Sequence, residues 1–135
     1  MLKFALKENI NAVGTIKVNN LKIDGIDQIG AFEDQLEDKY LSQFRSICST
    51  IYQISDNKKP PPRGKRRKIG GVKGAVELRS KNLSLYYLVI EKHDLIICIG
   101  GLKTTQNKDI RRLKTLKEQI ENQLNQNGQL KIEAN

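Results

Sequence analysis

The feature that most limits how this chain can fold is a set of three short apolar segments between residues 73 and 99. They read KGAVELR, LSLYYLVI and LIICI, and polar turn residues separate each one from the next. Segments of this length and composition predict strands joined by hairpins. The last is apolar on both faces, which is typical of a central, buried strand. Basic segments come before the first of these strands and after the last one. We therefore expect a functional surface at the basic edges of the sheet.

Helices are predicted in the chain both before and after these strands. Apolar residues recur at three- and four-residue steps from Ile29 to Ile54, which is the spacing of a buried helical stripe. Asp27 is suited to cap its start, after a turn at Asp24-Gly25. The stripe fits one long helix or two shorter helices broken near Lys39–Ser42. A further amphipathic helix is predicted from Ile110 to Leu124.

These elements predict a single α+β domain over residues 1–135. Its sheet is small and mostly antiparallel, with the N-terminal helices packed on one face and a C-terminal helix after the last strand. The segments are an N-terminal strand extension over 1–24, a helical region over 26–55, a proline-rich basic loop over 56–68, and the sheet with the C-terminal helix over 69–126. The tail after Gly128 is expected to fray.

Length and charge narrow the class of protein. A chain of 135 residues is about one domain and can bury a core without metal or disulfide bonds. Its 24 Lys and Arg exceed its 15 Asp and Glu, giving a net charge of +9. That surplus favours nucleic acid, an anionic membrane surface or an acidic protein as partner. A soluble protein rich in lysine would have the same total charge, but the concentration of cations at Arg63–Lys73 favours a function.

Cysteine and histidine content argue against a metal site. Cys48 and Cys98 each lie within an apolar segment, so both thiols are expected to be free and buried. There is no paired-cysteine spacing and only one histidine, so neither zinc nor another cofactor is expected. The N-terminal residues contain no apolar run of signal-peptide length, and no window is long enough for a membrane span. We therefore expect a cytoplasmic protein with no membrane partner.

Charged residues on the first predicted strand are the first candidates for a site. In an extended segment Lys73, Glu77 and Arg79 share one face, and Val76 and Leu78 share the other. This pattern fits either a functional group of charges or an exposed ion pair, which contributes less than about 1 kcal/mol.

Two basic segments and one tyrosine are candidates for nucleic-acid binding. Clustered lysine and arginine neutralise phosphates and release counterions. A solvated loop or a contact for an acidic partner would have the same composition. Tyr86 and Tyr87 face opposite sides of their strand, so one of them can stack on a base, and Tyr86 is the first choice. The cationic candidates are Arg63, Lys65, Arg66, Arg67, Lys68, Lys108, Arg111 and Arg112.

The order of these segments resembles the RelE/ParE superfamily of small bacterial toxins, and its HigB-like, phage-derived branch in particular. The matching pieces are Glu77-Leu78-Arg79, the aromatic strand Leu85–Val89, the apolar strand Leu95–Ile99, and Gly101–Gln106. The resemblance covers Lys68 to about Gln123. Ser84 stands where family members commonly carry an arginine, and no tyrosine or histidine follows residue 93.

The resemblance implies a RelE-like fold and a toxin that cleaves messenger RNA on the ribosome, held inactive by a cognate acidic antitoxin. The reaction is attack by a ribose 2′-hydroxyl on the adjacent phosphate without a metal, which requires a base, an acid and cations for the phosphate. The residues that fit these roles are Lys73, Arg79 and Lys103 as phosphate cations and Glu77 as the base.

Two other functions fit the same sequence. One is a non-catalytic member of this fold that binds nucleic acid or an acidic protein through Arg63–Lys73 and Arg111–Lys117. The other is an inhibitor of DNA gyrase, which the resemblance also allows because the ParE branch shares the fold.

Overall fold

The fold is given by a computed structural model that describes residues 2–57, 63–90 and 94–133. The predicted α+β class and the mostly antiparallel sheet are confirmed, and the arrangement is compatible with a RelE-like fold. The strands are β1 (Phe4–Glu8), β2 (Val18–Ile23), β3 (Ile26–Asp27), β4 (Arg66–Lys68), β5 (Ala75–Arg79), β6 (Leu83–Val89) and β7 (Leu95–Leu102). The helices are α1 (Gln28–Gln35), α2 (Leu41–Asp56) and α3 (Gln106–Asn127).

One sheet contains all of these strands, in the order β1-β2-β7-β6-β5-β4, with the short β3 also paired to β2. Strands β2 and β7 are parallel, and the other pairs are antiparallel. Strand β7, which the sequence predicts to be central, pairs with both β2 and β6. The turn between β2 and β3 places Asp24 at φ 49° and Gly25 at φ 84°, as a tight hairpin turn requires.

The helical stripe forms two helices rather than one. Asp27 caps α1 by accepting a hydrogen bond from the backbone nitrogen of Ile29 at 3.1 Å, as predicted. Helix α1 ends at Gln35, and a single 3₁₀ turn over Asp38–Tyr40 leads into α2. The predicted break near Lys39–Ser42 therefore overlaps this turn.

Helices cover both faces of the sheet, so two hydrophobic cores form. Helices α1 and α2 pack on one face, through Ile29, Phe44, Ile47 and Ile51 against Leu78, Leu85 and Ile97. Helix α3 packs on the opposite face, through Leu113, Leu116 and Ile120 against Leu88, Ile96 and Cys98. We call the second surface the α3 face, because the charged side chains of interest lie on it.

Two expectations for irregular segments are wrong. The loop predicted over residues 56–68 contains β4 at its end, because Arg66, Arg67 and Lys68 pair with Leu78, Glu77 and Val76 of β5. Residues 58–62, which include the three prolines, lie outside the described residues. The tail does not fray after Gly128, since Leu130 is buried and Ile132 bridges to Leu6 of β1.

No helix in the described ranges combines the length and the apolar character needed to cross a membrane.

Candidate functional site

The site is built around Glu77, a carboxylate with no exposed surface. Alternation along β5 directs Val76 and Leu78 toward α2 and directs Ala75, Glu77 and Arg79 toward the α3 face. Glu77 lies opposite Arg67 of β4 on one side and Tyr86 of β6 on the other. Side chains from three neighbouring strands therefore meet over a buried carboxylate.

Glu77 is hydrogen-bonded through both carboxylate oxygens. Its Oε1 accepts from Nε of Arg67 at 2.9 Å and lies 2.8 Å from Nη2 of the same guanidinium. Its Oε2 accepts from the hydroxyl of Ser84 and from Nε2 of Gln106 at 3.0 Å. Nε of Arg79 lies 3.8 Å from Oε1. Charge-assisted bonds of this kind offset the cost of burying the carboxylate, so Glu77 joins β4, β5, β6 and the start of α3.

The two arginines remain accessible although their partner is enclosed. The side chain of Arg67 is 48% exposed and that of Arg79 is 36% exposed, against 0% for Glu77. One buried negative charge therefore faces two guanidinium groups whose outer edges reach solvent. Such a pair presents donors in a fixed geometry to an anion such as a phosphate.

Tyr86 forms the floor of this cluster and is 1% exposed. Burial and the nearby charge of Glu77 raise the pKa of its phenol to about 12, and the negative charge of Asp109 acts in the same direction. The phenol is therefore neutral at physiological pH. The prediction that Tyr86 stacks on a base is wrong for this conformation, because the ring is enclosed between the sheet and α3.

Asp109 adds a second carboxylate from the first turns of α3. Its Oδ2 accepts a hydrogen bond from the hydroxyl of Thr105 at 2.7 Å. The carboxylate lies directly against Gly101 of β7, in space that a Cβ atom at Gly101 would occupy. Asp109 is partly exposed, and its burial raises its pKa above the ordinary value of 3.8, against the opposing effects of Thr105, Arg112 and Lys108.

Lys103 lies at the same end of the sheet as the cluster. It begins a 3₁₀ turn after β7, and its backbone nitrogen donates to the carbonyl of Asn82 at 2.9 Å, beside the turn that joins β5 to β6. That turn is held against α2, because Gln43 and Asn82 exchange hydrogen bonds of 3.0 and 2.6 Å. Arg79 and Lys103 therefore flank one fixed turn. The exposed Lys108, Arg111 and Arg112 on the first turns of α3 extend this basic surface.

The remaining predicted cations do not join the cluster. Arg66 and Lys68 pair with Leu78 and Val76, so they lie on the α2 side of the sheet. Lys65 directs its amine toward the hydroxyl of Ser46 on α2, at 3.4 Å. Arg63 is exposed in the turn before β4. Of the basic segment before β5, Arg67 alone contacts Glu77 among the described residues.

Lys73 is the predicted catalytic residue that the structure separates from the others. Strand β5 begins at Ala75, and Gly74 has a φ of 80°, so the extended alternation does not reach residue 73. Lys73 lies in the preceding turn, at the end of β5 opposite Arg79. Its predicted position on one face with Glu77 and Arg79 is wrong for that reason.

Three polar members of the cluster were missed at the sequence level. Ser84 appeared only as a departure from the resembled family, yet its hydroxyl donates to Glu77. Gln106 and Asp109 lie in a polar stretch whose contacts depend on how α3 crosses the sheet. The one available signal was the pair Gly100-Gly101, because glycines near the end of a buried strand often mark close approach of another group.

No protein-family description, curated protein or solved structure matches this chain significantly. Within the described ranges, no three histidine, cysteine, aspartate or glutamate side chains lie close enough together to hold a metal ion.

Proposed function

We propose that this protein is a RelE/HigB-like toxin that cleaves messenger RNA on the ribosome by a metal-independent reaction. The observation that carries the proposal is the cluster in which buried Glu77 holds Arg67 beside Arg79, with both guanidiniums partly exposed. The net charge of +9 and the basic start of α3 support a polyanionic substrate.

The chemistry needs positive charge at the reacting phosphate. Attack by a 2′-hydroxyl adds negative charge to the phosphate oxygens, and preorganised cations stabilise that charge. The guanidiniums of Arg67 and Arg79 both lie near Oε1 of Glu77. Lys103 lies beside the turn that joins β5 to β6. Arg67 brings a guanidinium to the carboxylate that Ser84 also contacts. It therefore compensates for the arginine that the resembled family commonly carries at the position of Ser84.

A cognate acidic antitoxin is part of this proposal. An inhibitor that covers Arg79, Lys103 and the start of α3 would need acidic side chains, because the exposed groups there are predominantly cationic. Charge complementarity of this kind would also speed its association with the toxin.

The test is induced expression in a bacterial host, with RNA ends mapped within minutes. We expect growth arrest and new cuts in translated messages that end in 2′,3′-cyclic phosphates. Arg67→Ala and Arg79→Ala should each lower cleavage by about 10²-fold or more, since each removes a preorganised cation. Lys3→Ala, an exposed cation beside β1, is the control and should cleave like wild type. Lys73→Ala should also cleave normally if the site is the one built on Glu77. Normal cleavage by both arginine variants would contradict this site.

A non-catalytic member of the fold is the second candidate, because the two buried titratable groups of the cluster are poor proton carriers. Glu77 is fully hydrogen-bonded, and Tyr86 is buried with a pKa of about 12. This candidate predicts RNA or acidic-protein binding that weakens steeply with salt, without new RNA ends.

A further inference from the structure

The proposed reaction needs a proton acceptor, and Glu77 is poorly suited to this role. An ionised carboxylate offers about four lone-pair sites. Two nitrogens of Arg67 occupy Oε1, and Ser84 and Gln106 occupy Oε2. Because Glu77 also has no exposed surface, a substrate hydroxyl would have to displace one of these donors to reach it.

Asp109 differs from Glu77 in both respects. Within the described ranges, one hydrogen bond to its side chain is present, from Thr105 to Oδ2, which leaves Oδ1 open to another donor. The residue is partly exposed, so a substrate group has a route to it. Asp109 lies against Gly101, which pairs with Ser84, and the Ser84 hydroxyl donates to Glu77. Asp109 is therefore a partly exposed carboxylate on the same face of the sheet as Glu77.

Gly101 accounts for how this carboxylate comes to lie against the sheet. Strand β7 pairs Gly101 with Ser84, the residue whose hydroxyl binds Glu77. The missing side chain at Gly101 leaves the space that the Asp109 carboxylate occupies, next to Thr105. A larger residue there would push the carboxylate away from the strand that carries Ser84.

We propose that Asp109 is the proton acceptor for the ribose 2′-hydroxyl, an inference that rests on the RNA-cleaving function proposed above. Asp109 takes the proton of the 2′-hydroxyl while the O2′–P bond forms. The P–O5′ bond then breaks, leaving a 2′,3′-cyclic phosphate on one fragment. The 5′-oxygen of the other fragment takes a proton from water, and Asp109 returns its proton to solvent. The step is a transesterification and needs no oxidant, reductant or co-reactant.

The surroundings of Asp109 fit a group that must gain and lose a proton. Burial raises the pKa of its carboxyl above the ordinary value of 3.8, and a base becomes more effective as its pKa approaches the working pH. The hydroxyl of Thr105 and the charges of Arg112 and Lys108 oppose that rise and favour the ionised form. The ionised carboxylate of Asp109 can therefore accept a proton, whereas both oxygens of Glu77 are already hydrogen-bonded to other side chains.

The test uses Asp109→Asn, which keeps the size of the side chain and an oxygen for the Thr105 hydroxyl. Cleavage is measured on a reporter messenger RNA in a cell-free translation reaction, and binding on a single-stranded RNA oligonucleotide. We expect cleavage to fall by about 10²- to 10⁴-fold, the usual contribution of a positioned base, while RNA affinity stays the same or rises slightly. Asp109→Glu keeps a carboxylate and should retain more activity than Asp109→Asn.

Glu118→Gln is the matched control, because it removes one exposed carboxylate from the same helix. It should cleave like wild type. Wild-type cleavage by Asp109→Asn would overturn the role of Asp109 and leave the proposed function standing. Loss of both binding and cleavage, or equal loss in Asp109→Glu and Asp109→Asn, would indicate a structural role and would also overturn it. Absence of cleavage by the unaltered protein would overturn the proposed function, and the inference with it.

Discussion

Glu77 shows how a single side chain organises the polar contacts of the α3 face. Burying an ionised carboxylate costs several kcal/mol unless hydrogen bonds and an opposite charge offset that cost. Arg67, Ser84 and Gln106 provide these bonds, and they come from β4, β6 and α3. The residue that resemblance assigns to proton transfer is therefore better explained as the group that positions the arginines.

Glu77→Gln should lower the free energy of unfolding by about 2–4 kcal/mol. The amide keeps the volume but loses the charge that pairs with Arg67, and its NH₂ group faces donors from Ser84 or Gln106. Urea unfolding followed by circular dichroism measures the change, with Glu118→Gln as a control within about 0.5 kcal/mol of wild type. A loss below about 0.5 kcal/mol in Glu77→Gln would show that the network contributes little to stability.

The last strand and the helices on either side of it depend on two adjacent glycines with different neighbours. Successive residues of β7 face opposite sides of the sheet, so Gly100 lies beneath the ring of Phe32 on α1, and Gly101 lies beneath Asp109 on α3. Close packing of a helix on each face of β7 requires both positions to lack a side chain. The consequences of adding one should nevertheless differ, because a packed ring yields less easily than the end of a partly exposed carboxylate.

Gly100→Ala should destabilise the fold by about 1–3 kcal/mol, since the added methyl overpacks the contact with Phe32. Gly101→Ala should cost less than about 1 kcal/mol, because Asp109 can rotate away, but it should lower RNA cleavage by moving that carboxylate. Thermal unfolding and the cell-free cleavage assay, run on both variants, separate the two effects. Equal losses of stability with no change in cleavage would contradict this account.

At the scale of the whole molecule, the last described residues pack along the first strand, β1. The backbone nitrogen of Leu6 donates to Lys131 at 2.8 Å, and that of Glu133 donates to Leu6 at 2.7 Å. Glu133 also lies 2.9 Å from the amine of Lys22, whose side chain is 4% exposed. The tail thus covers the free edge of β1, which reduces the tendency of an edge strand to pair with other chains.

The stability that the tail contributes through Glu133 should depend on pH. A hydrogen bond from Lys22 and the charge of its amine lower the pKa of Glu133 below its ordinary value of 4.5. The ion pair therefore contributes stability above pH 4.5, and that contribution is lost as the pH falls through the lowered pKa. Glu133→Gln should be less stable than wild type at pH 7, and the two should converge in acid. Urea unfolding at several pH values tests this, and a constant difference across the acid range would refute it.

The sequence predicts regular elements well where the pattern is local. The alternation in β5 and β6, the helical stripe from Ile29 to Ile54 and the cap at Asp27 appear in the fold. The break between α1 and α2, the strand β4 and the docked tail were harder to predict, because each depends on contacts with distant residues. Alternation along β5 correctly places Glu77 and Arg79 on one face, but it misplaces Lys73, since Gly74 turns the chain before β5 begins.

The order of the residues along the chain is enough to predict the α+β class, the basic character and the polar residues available to a site. Periodicity and charge are properties of neighbouring residues, so they can be read without coordinates. Which of these residues meet depends on the packing of the folded chain. Arg67 reaches Glu77 across 10 positions and Gln106 reaches it across 29, through strand register and the crossing of α3. Those pairings follow from the packing of whole faces against one another, and that packing makes Glu77 an enclosed anchor and leaves Asp109 accessible.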